Sequence, residues 1–155
     1  MEEVFMREAL KEAKKAYKRK EVPIGAVVVY KNKIISRGYN LREKKKNALL
    51  HAEIIAIEKA CRKLRSWRLD ECDLYVTLEP CPMCSGAIIN SRIKNIFFGA
   101  DDPKAGCVNS KAHLFETGLF NHDVNVVGGV LKSECSQILK DFFSELRKVD
   151  KRKKI

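Results

Sequence analysis

Two short segments of the chain combine residue types that bind metals and transfer protons. His51 and Glu53 form an H-x-E pair at the start of an apolar segment, and Cys81 and Cys84 form a C-x-x-C pair thirty residues later. One imidazole and two thiolates are a natural ligand set for zinc, which prefers nitrogen and sulfur ligands in a tetrahedral site. Three protein ligands leave the fourth position open, so the pattern predicts a catalytic centre that activates water.

Glu53 is predicted to be the proton carrier of this centre. It lies two residues from His51, so its carboxylate projects into the same region without duplicating the ligand. Each pair has another interpretation when taken alone, because H-x-E can be a helix cap and C-x-x-C can be a redox pair. A zinc module that only binds RNA is a further alternative, which requires a closed site with four ligands and gives Glu53 no role.

The composition indicates one reduced, cytoplasmic domain with a polyanionic partner. The chain has 155 residues, 45% of them hydrophobic, and four of its six cysteines lie scattered outside the C-x-x-C pair. We expect no secretory leader, and no membrane span because no apolar run approaches about 18 residues. The net charge of +11 favours binding to a nucleic acid. The candidate phosphate contacts are Lys44–Lys46, Arg147 and Lys148. Each of them, taken singly, is interpreted as a solvated charge.

The elements that position these residues follow from the hydrophobic periodicity. The sequence predicts helices over 2–20, 51–65, 82–92 and 133–149, and strands over 22–30, 34–40, 73–78, 93–100 and 124–130. A hairpin followed by βαβ units predicts a three-layer α/β/α domain over residues 1–150 with one mixed five-stranded sheet, followed by a basic tail at 151–155. His51 and Cys81 then each begin a helix, at the sheet edge where sites form in such folds.

Longer motifs in the chain resemble the bacterial tRNA-specific adenosine deaminases of the zinc-dependent cytidine and deoxycytidylate deaminase superfamily. The matching segments, in order along nearly the full chain, are VPIGAVVV, GYN, HAEIIAI, LYVTLEPCPMCSGAIINSRI, FGADDPKAG and ILKDFFSELRK. The resemblance implies a cytidine-deaminase-like fold and a homodimer with one zinc ion per subunit. It also implies hydrolytic conversion of adenosine to inosine at wobble position 34 of a tRNA anticodon, usually in an arginine tRNA. The alternative is a free nucleobase or nucleoside deaminase acting on guanine or cytosine, with the same zinc motif.

The resemblance also implies roles for individual residues. His51, Cys81 and Cys84 match the zinc ligands, and Glu53 matches the proton carrier. Contacts to the flipped base, its pocket and the surrounding RNA match Asn40, Val22, Pro23, Ile24, Asp102 and Lys104. The chain departs from the family at Leu49-Leu50 and at Cys107-Val108, where smaller residues are usual, and we expect this bulk to affect the pocket or the RNA path.

Two further histidines and a phenylalanine pair are weaker candidates for the site. His113 and His122 lie in loop segments and are interpreted as structural residues rather than ligands. Phe142 and Phe143 are adjacent in the last predicted helix, so one is expected in the core and the other on the surface, where it can contact RNA.

Overall fold

The structure is a computed structural model that describes residues 1–153, with four helices and five strands in that range. The helices are α1 (Glu2–Lys18), α2 (Ala52–Leu64), α3 (Pro82–Asn90) and α4 (Lys132–Lys153). The strands are β1 (Gly25–Tyr30), β2 (Lys33–Tyr39), β3 (Cys72–Leu78), β4 (Asn95–Ala100) and β5 (Asn125–Val127). Within this range no helix combines the length and the apolar character that a membrane crossing requires.

The five strands form one mixed sheet in the order β2-β1-β3-β4-β5. β1 runs antiparallel to both β2 and β3, whereas β4 runs parallel to β3 and β5. The start of β1 therefore lies beside the end of β3, where the amide of Gly25 donates a hydrogen bond to Oγ1 of Thr77 at 3.2 Å. The predicted α/β class and mixed five-stranded sheet are confirmed.

Helices cover both faces of the sheet, because successive residues of each central strand point to opposite sides. On one face, Ala26 and Val28 of β1 belong to a buried cluster with residues of α2 and α3. On the other face, Val27 and Val29 belong to a second cluster with the apolar side of α1 and the first residues of α4. The two clusters make the sheet the rigid middle layer of a three-layer domain.

The close approach of β2 to α2 depends on Gly38. A Cβ atom at this position would lie 2.5 Å from the carbonyl oxygen of Ala52 and 2.9 Å from the amide nitrogen of Ala56. Such distances are too short for a side chain, so the absence of one lets the first turns of α2 rest directly on the strand. Those turns are the part of α2 that begins the predicted site.

Three element boundaries differ from the prediction by three or more residues, and the others lie within two residues of it. β1 begins at Gly25 rather than at 22, because the amide of Ile24 donates to the carbonyl of Val22 at 2.9 Å in a turn before the strand. β5 ends at Val127 rather than at 130, two residues before Gly129 takes a φ of 81°. α4 continues past its predicted end at 149 and past the predicted domain end at 150, and it ends at Lys153. The lysine and arginine residues at 151–153 favour helix. The rest of the predicted tail, 154–155, lies outside the described residues.

Candidate metal centre and active site

Three predicted ligands meet at the N-termini of two helices. His51 is the N-cap residue of α2 and Cys81 is that of α3, and neither side chain forms a capping hydrogen bond. Pro82 occupies the first turn of α3, and Cys84 follows on the same side of the helix. The sulfur atoms of Cys81 and Cys84 each lie 3.6 Å from Nδ1 of His51. The ligand atoms of all three residues lie within 4.8 Å of one another.

This spacing fits one tetrahedral metal ion. With metal–nitrogen and metal–sulfur bonds of about 2.0 and 2.3 Å, a tetrahedral zinc ion holds its nitrogen and sulfur ligands about 3.5 Å apart. No fourth histidine, cysteine or carboxylate joins the group in the part of the chain that the structure describes. The donor set therefore fits zinc with one coordination position left for a reactant, and not a closed structural site.

The protonation of the three side chains is linked. Hydrogen bonds from Cys84 and His51 hold the pKa of Cys81 down, at about 4, and the Cys81 thiolate in turn raises the pKa of His51. The pKa of Cys84 is raised, because the bond to Cys81 and its burial both favour the thiol. The pair therefore shares one proton by itself, and a divalent cation between the sulfur atoms favours the doubly deprotonated form.

Glu53 lies in the first turn of α2 and is 4% exposed. Burial raises the pKa of its carboxyl group to about 7, and the neighbouring Cys81 thiolate adds to that effect. A carboxyl group with a pKa near neutrality can accept and donate a proton at physiological pH. A cation on the adjacent ligands favours its carboxylate form, which is the form that accepts a proton.

A cavity of about 630 Å³ is lined by Glu53 and by two of the predicted ligands, His51 and Cys81. Its volume suits a small organic group such as a nucleobase. Among the residues predicted to bind substrate, five line this cavity: Val22, Ile24, Asn40, Asp102 and Lys104. Pro23 is buried and does not line it, because alternate residues of this short segment point to opposite sides.

Asn40 is fixed at the cavity wall by its own loop. Its Nδ2 donates to the carbonyl of Val22 at 3.3 Å, and its Oδ1 accepts from the amide of Arg42 at 3.2 Å. Arg42 lines the cavity beside it, although the sequence analysis did not single it out. The orientation of the Asn40 amide is therefore set before any ligand binds.

Another part of the cavity wall, residues 101–105, belongs to a loop over residues 101–110. This loop is held by one carboxylate that the sequence analysis missed. Glu79 directly follows β3, is 2% exposed and accepts hydrogen bonds from the amides of Asp102, Val108, Asn109 and Ser110 and from the Ser110 hydroxyl. Burial raises the pKa of Glu79, but these bonds outweigh it and lower the pKa to about 2. The sequence did contain a signal for this role, because Glu79 is a single charged residue between an apolar strand and a proline.

α4 supplies the outer rim of the cavity. Leu139, Lys140, Phe143 and Arg147 line it from successive turns of this helix. Phe142 is 9% exposed and Phe143 is 39% exposed, so the expected division into one core and one surface phenylalanine is confirmed. The rim therefore combines one exposed aromatic ring with two cations, the groups that stack on bases and contact phosphates.

The residues that depart from the family motif lie outside the cavity. Val108 packs into the hydrophobic cluster beneath α2 and α3, and the buried Cys107 directs its thiol to the carbonyl of Ala105 at 3.5 Å. Leu49 is 58% exposed on the loop before α2. None of the three lines the cavity, nor does Leu50. An effect of this bulk on the pocket or on the RNA path stays a prediction.

His113 and His122 both bond to backbone carbonyls away from the ligand group. Nδ1 of His113 lies 3.1 Å from the carbonyl oxygen of Val108, and Nε2 of His122 lies 2.8 Å from that of Ile93. These contacts tie loop segments to the core of the domain. Both histidines are therefore structural in this arrangement.

Comparison with known proteins gives one consistent family. The MafB19-like deaminase model matches residues 2–147. A tRNA-specific adenosine deaminase of Bacillus subtilis (strain 168) is 51% identical over 150 residues, which cover 97% of this chain and 93% of that protein. A solved structure from a study of A-to-I editing by tRNA:A34 deaminases has a TM-score of 0.84 and 44% identity, and covers 87% of this chain and 98% of that one.

A guanine deaminase structure from Bacillus subtilis is also similar, with 40% identity and a TM-score of 0.61, but the match covers only 64% of each chain. The match to the Bacillus subtilis tRNA-specific adenosine deaminase is higher in identity and covers more of both chains than this one. The chain thus belongs to the tRNA-specific adenosine deaminase family.

Proposed function

We propose that this protein is a zinc-dependent hydrolase that converts adenosine to inosine at position 34 of a tRNA anticodon. The observation that carries the proposal is the grouping of His51, Cys81 and Cys84 beside the buried Glu53, in a cavity rimmed by cations. The named relatives support RNA adenosine as the substrate, because they match almost the whole chain.

His51, Cys81 and Cys84 would hold the metal ion, one per subunit. When bound, zinc supplies the acidity that makes water a nucleophile near neutral pH. The two helix N-termini support this ligand set, because their free amides and positive dipole ends favour thiolates over thiols.

Glu53 moves protons in both halves of the proposed reaction. It accepts one proton from the attacking water and delivers it to N1 of adenine as the water oxygen bonds to C6. It then carries the second proton of that water to the exocyclic amine, and the bond between C6 and this nitrogen breaks. Adenosine and water thereby become inosine and ammonia.

The cavity walls provide the groups that would bind the flipped nucleotide. Asn40 would hydrogen-bond the base between Val22 and Ile24, and Asp102 and Lys104 would contact the RNA around it. A base in a single-stranded anticodon loop is already partly unstacked, so its entry into the cavity costs little.

The direct test is mass spectrometry of an anticodon stem–loop RNA with adenosine at the wobble position, incubated with the zinc-loaded protein. We expect conversion to inosine at that base alone. Glu53→Gln should lower kcat by about 10²–10⁴ without loss of zinc, because the amide cannot transfer the protons. Glu58→Gln is the matched control on the exposed side of α2 and should leave kcat unchanged. No conversion by the zinc-loaded wild type would contradict the proposal.

The second candidate is a free guanine deaminase, which the partial likeness to the Bacillus subtilis guanine deaminase supports. Such an enzyme has no need of the cations on the rim formed by α4. Release of ammonia from free guanine at a rate independent of salt, with no conversion of RNA, would favour this candidate.

Three further expectations belong to the proposal. We expect a homodimer, which sedimentation of the zinc-loaded protein tests. We also expect a cytoplasmic location, which fractionation of cells tests. A single domain over residues 1–150 predicts one cooperative unfolding transition for the whole chain.

A further inference from the structure

A further buried carboxylate lies beneath the loop that precedes α2. Glu21 is 1% exposed. Its Oε1 accepts from the amide of Glu43 at 3.1 Å and its Oε2 accepts from the amide of Lys44 at 2.7 Å. Both oxygens are thus bonded to the backbone of one loop, more than twenty residues away in sequence.

That loop, residues 41–46, is here called the cationic loop because it exposes Arg42, Lys44, Lys45 and Lys46. Inside the loop, the amide of Lys45 bonds to the carbonyl of Leu41 at 3.0 Å and that of Lys46 to Glu43 at 3.2 Å. The loop is therefore a compact turn, and the two bonds to Glu21 attach this turn to the segment before β1.

The cationic loop is also part of the cavity wall. Arg42 lines the cavity, and its amide holds Oδ1 of Asn40. One short stretch of backbone, residues 40–44, therefore connects Glu21 to the cavity. Glu21 bonds to its buried end, and Asn40 and Arg42 line the cavity at its other end.

The negative charge of Glu21 does not itself favour the binding of RNA by this loop. A buried negative charge under four cations weakens the attraction of the loop for phosphates. A carboxylate does, however, offer two acceptor oxygens and no donor, so it can receive both loop amides at once. A glutamine offers only one oxygen and faces the second amide with its own N–H group.

We propose that Glu21 is a positioning residue for RNA binding, which holds the cationic loop so that its cations meet the phosphates flanking the target base. This inference rests on the proposed function. Through its hydrogen bonds Glu21 would strengthen RNA binding, whereas its negative charge alone would weaken RNA binding.

The test is the Kd of an anticodon stem–loop RNA, measured in a Glu53→Ala reference so that the RNA is not converted. We expect Glu21→Gln to weaken binding about tenfold, although removal of a negative charge alone would tighten it. Glu21→Asp keeps the charge but is too short to reach both amides, and we expect a similar loss. The amides of Glu43 and Lys44 should exchange with deuterium faster in both variants, with zinc content unchanged.

Glu43→Gln is the matched control. It makes the same chemical change on the exposed surface of the same loop, where Glu43 forms only a 3.6 Å ion pair with Arg42. It should bind RNA as tightly as the reference or slightly more tightly.

Three results are decisive against the role of Glu21. Unchanged or tighter binding in both Glu21 variants would overturn it. Loss of zinc, or faster exchange throughout the domain, would also overturn it, because Glu21 would then support the whole fold. Absence of binding by the Glu53→Ala reference itself would instead contradict the proposed function.

Discussion

At the scale of single residues, two glutamates beside the same cavity have opposite acid–base behaviour. Burial raises the pKa of Glu53 to about 7, whereas five hydrogen bonds to the 101–110 loop lower that of Glu79 to about 2. The difference lies in the balance of these effects, because the hydrogen bonds to Glu79 outweigh its burial, whereas those to Glu53 do not. Glu53 is suited to proton transfer, and Glu79 to holding a loop.

Glu79 should make the fold sensitive to acid. Its folded-state pKa lies below its ordinary value of 4.5, so its contribution is complete above pH 4.5 and is lost as the pH falls toward 2. We expect Glu79→Gln to lower the free energy of unfolding by about 3 kcal/mol at pH 7. The difference from the wild type should shrink as the pH falls through this range.

The measurement is urea unfolding of both proteins from pH 7 to pH 3 in the presence of a chelator, so that metal release does not contribute. A difference that stays constant with pH would show that Glu79 contributes by packing rather than by its charge.

The proposed metal ligands and the proposed proton carrier could be predicted from the sequence, but these supporting carboxylates could not. His51, Glu53, Cys81 and Cys84 follow rules of local spacing at helix starts. Glu21 and Glu79 bond to amides of distant loops, which have no periodic pattern and lie more than twenty residues along the chain. Only the folded backbone brings those amides together.

At the scale of elements, the site depends on how closely α2 rests on the sheet. Gly38 permits this contact, and α2 carries both His51 and Glu53. The sequence predicted α2 and β2 but not their distance, because the GYN segment does not show which backbone will lie over its glycine. Boundaries such as the start of β1 depend in the same way on tertiary hydrogen bonds, here those of the turn at Val22–Ile24.

Gly38→Ala should therefore affect both stability and activity. The added Cβ would press on the backbone of Ala52 and Ala56, so we expect a loss of about 1–3 kcal/mol in unfolding free energy and a fall in kcat. Gly86→Ala in α3 is the control, because a Cβ there meets nothing within 4 Å, and it should stabilise the helix by about 1 kcal/mol.

Thermal unfolding and kcat of the two zinc-loaded variants check this prediction. Equal stability of both would show that β2 and α2 can separate at no cost.

At the scale of the whole molecule, charge and cavity point to the same partner. The net charge of +11 predicted a nucleic acid from the composition alone, and the structure places Arg42, Lys104, Lys140 and Arg147 around one opening. The sequence could give the total charge but not this convergence, because the four residues come from three separate parts of the chain.

Activity on RNA should therefore depend strongly on salt. If about four phosphates are contacted, the logarithm of kcat/KM should fall with a slope of about −3 against the logarithm of salt concentration. Steady-state kinetics on the stem–loop between about 50 and 200 mM potassium chloride measure this slope. A flat profile would contradict phosphate binding at the rim and would favour a small-molecule substrate.

The two helix N-caps imply a trade-off between the robustness of the fold and its chemistry. Serine, threonine, aspartate or asparagine at an N-cap stabilises a protein by about 1 kcal/mol relative to a residue that does not cap. His51 and Cys81 occupy both caps and form no capping bond. Selection for heat resistance alone would replace both residues and thereby remove two of the three proposed metal ligands. Engineering a more thermostable variant must therefore keep the native residues at these two N-caps and introduce stabilising substitutions elsewhere in the domain.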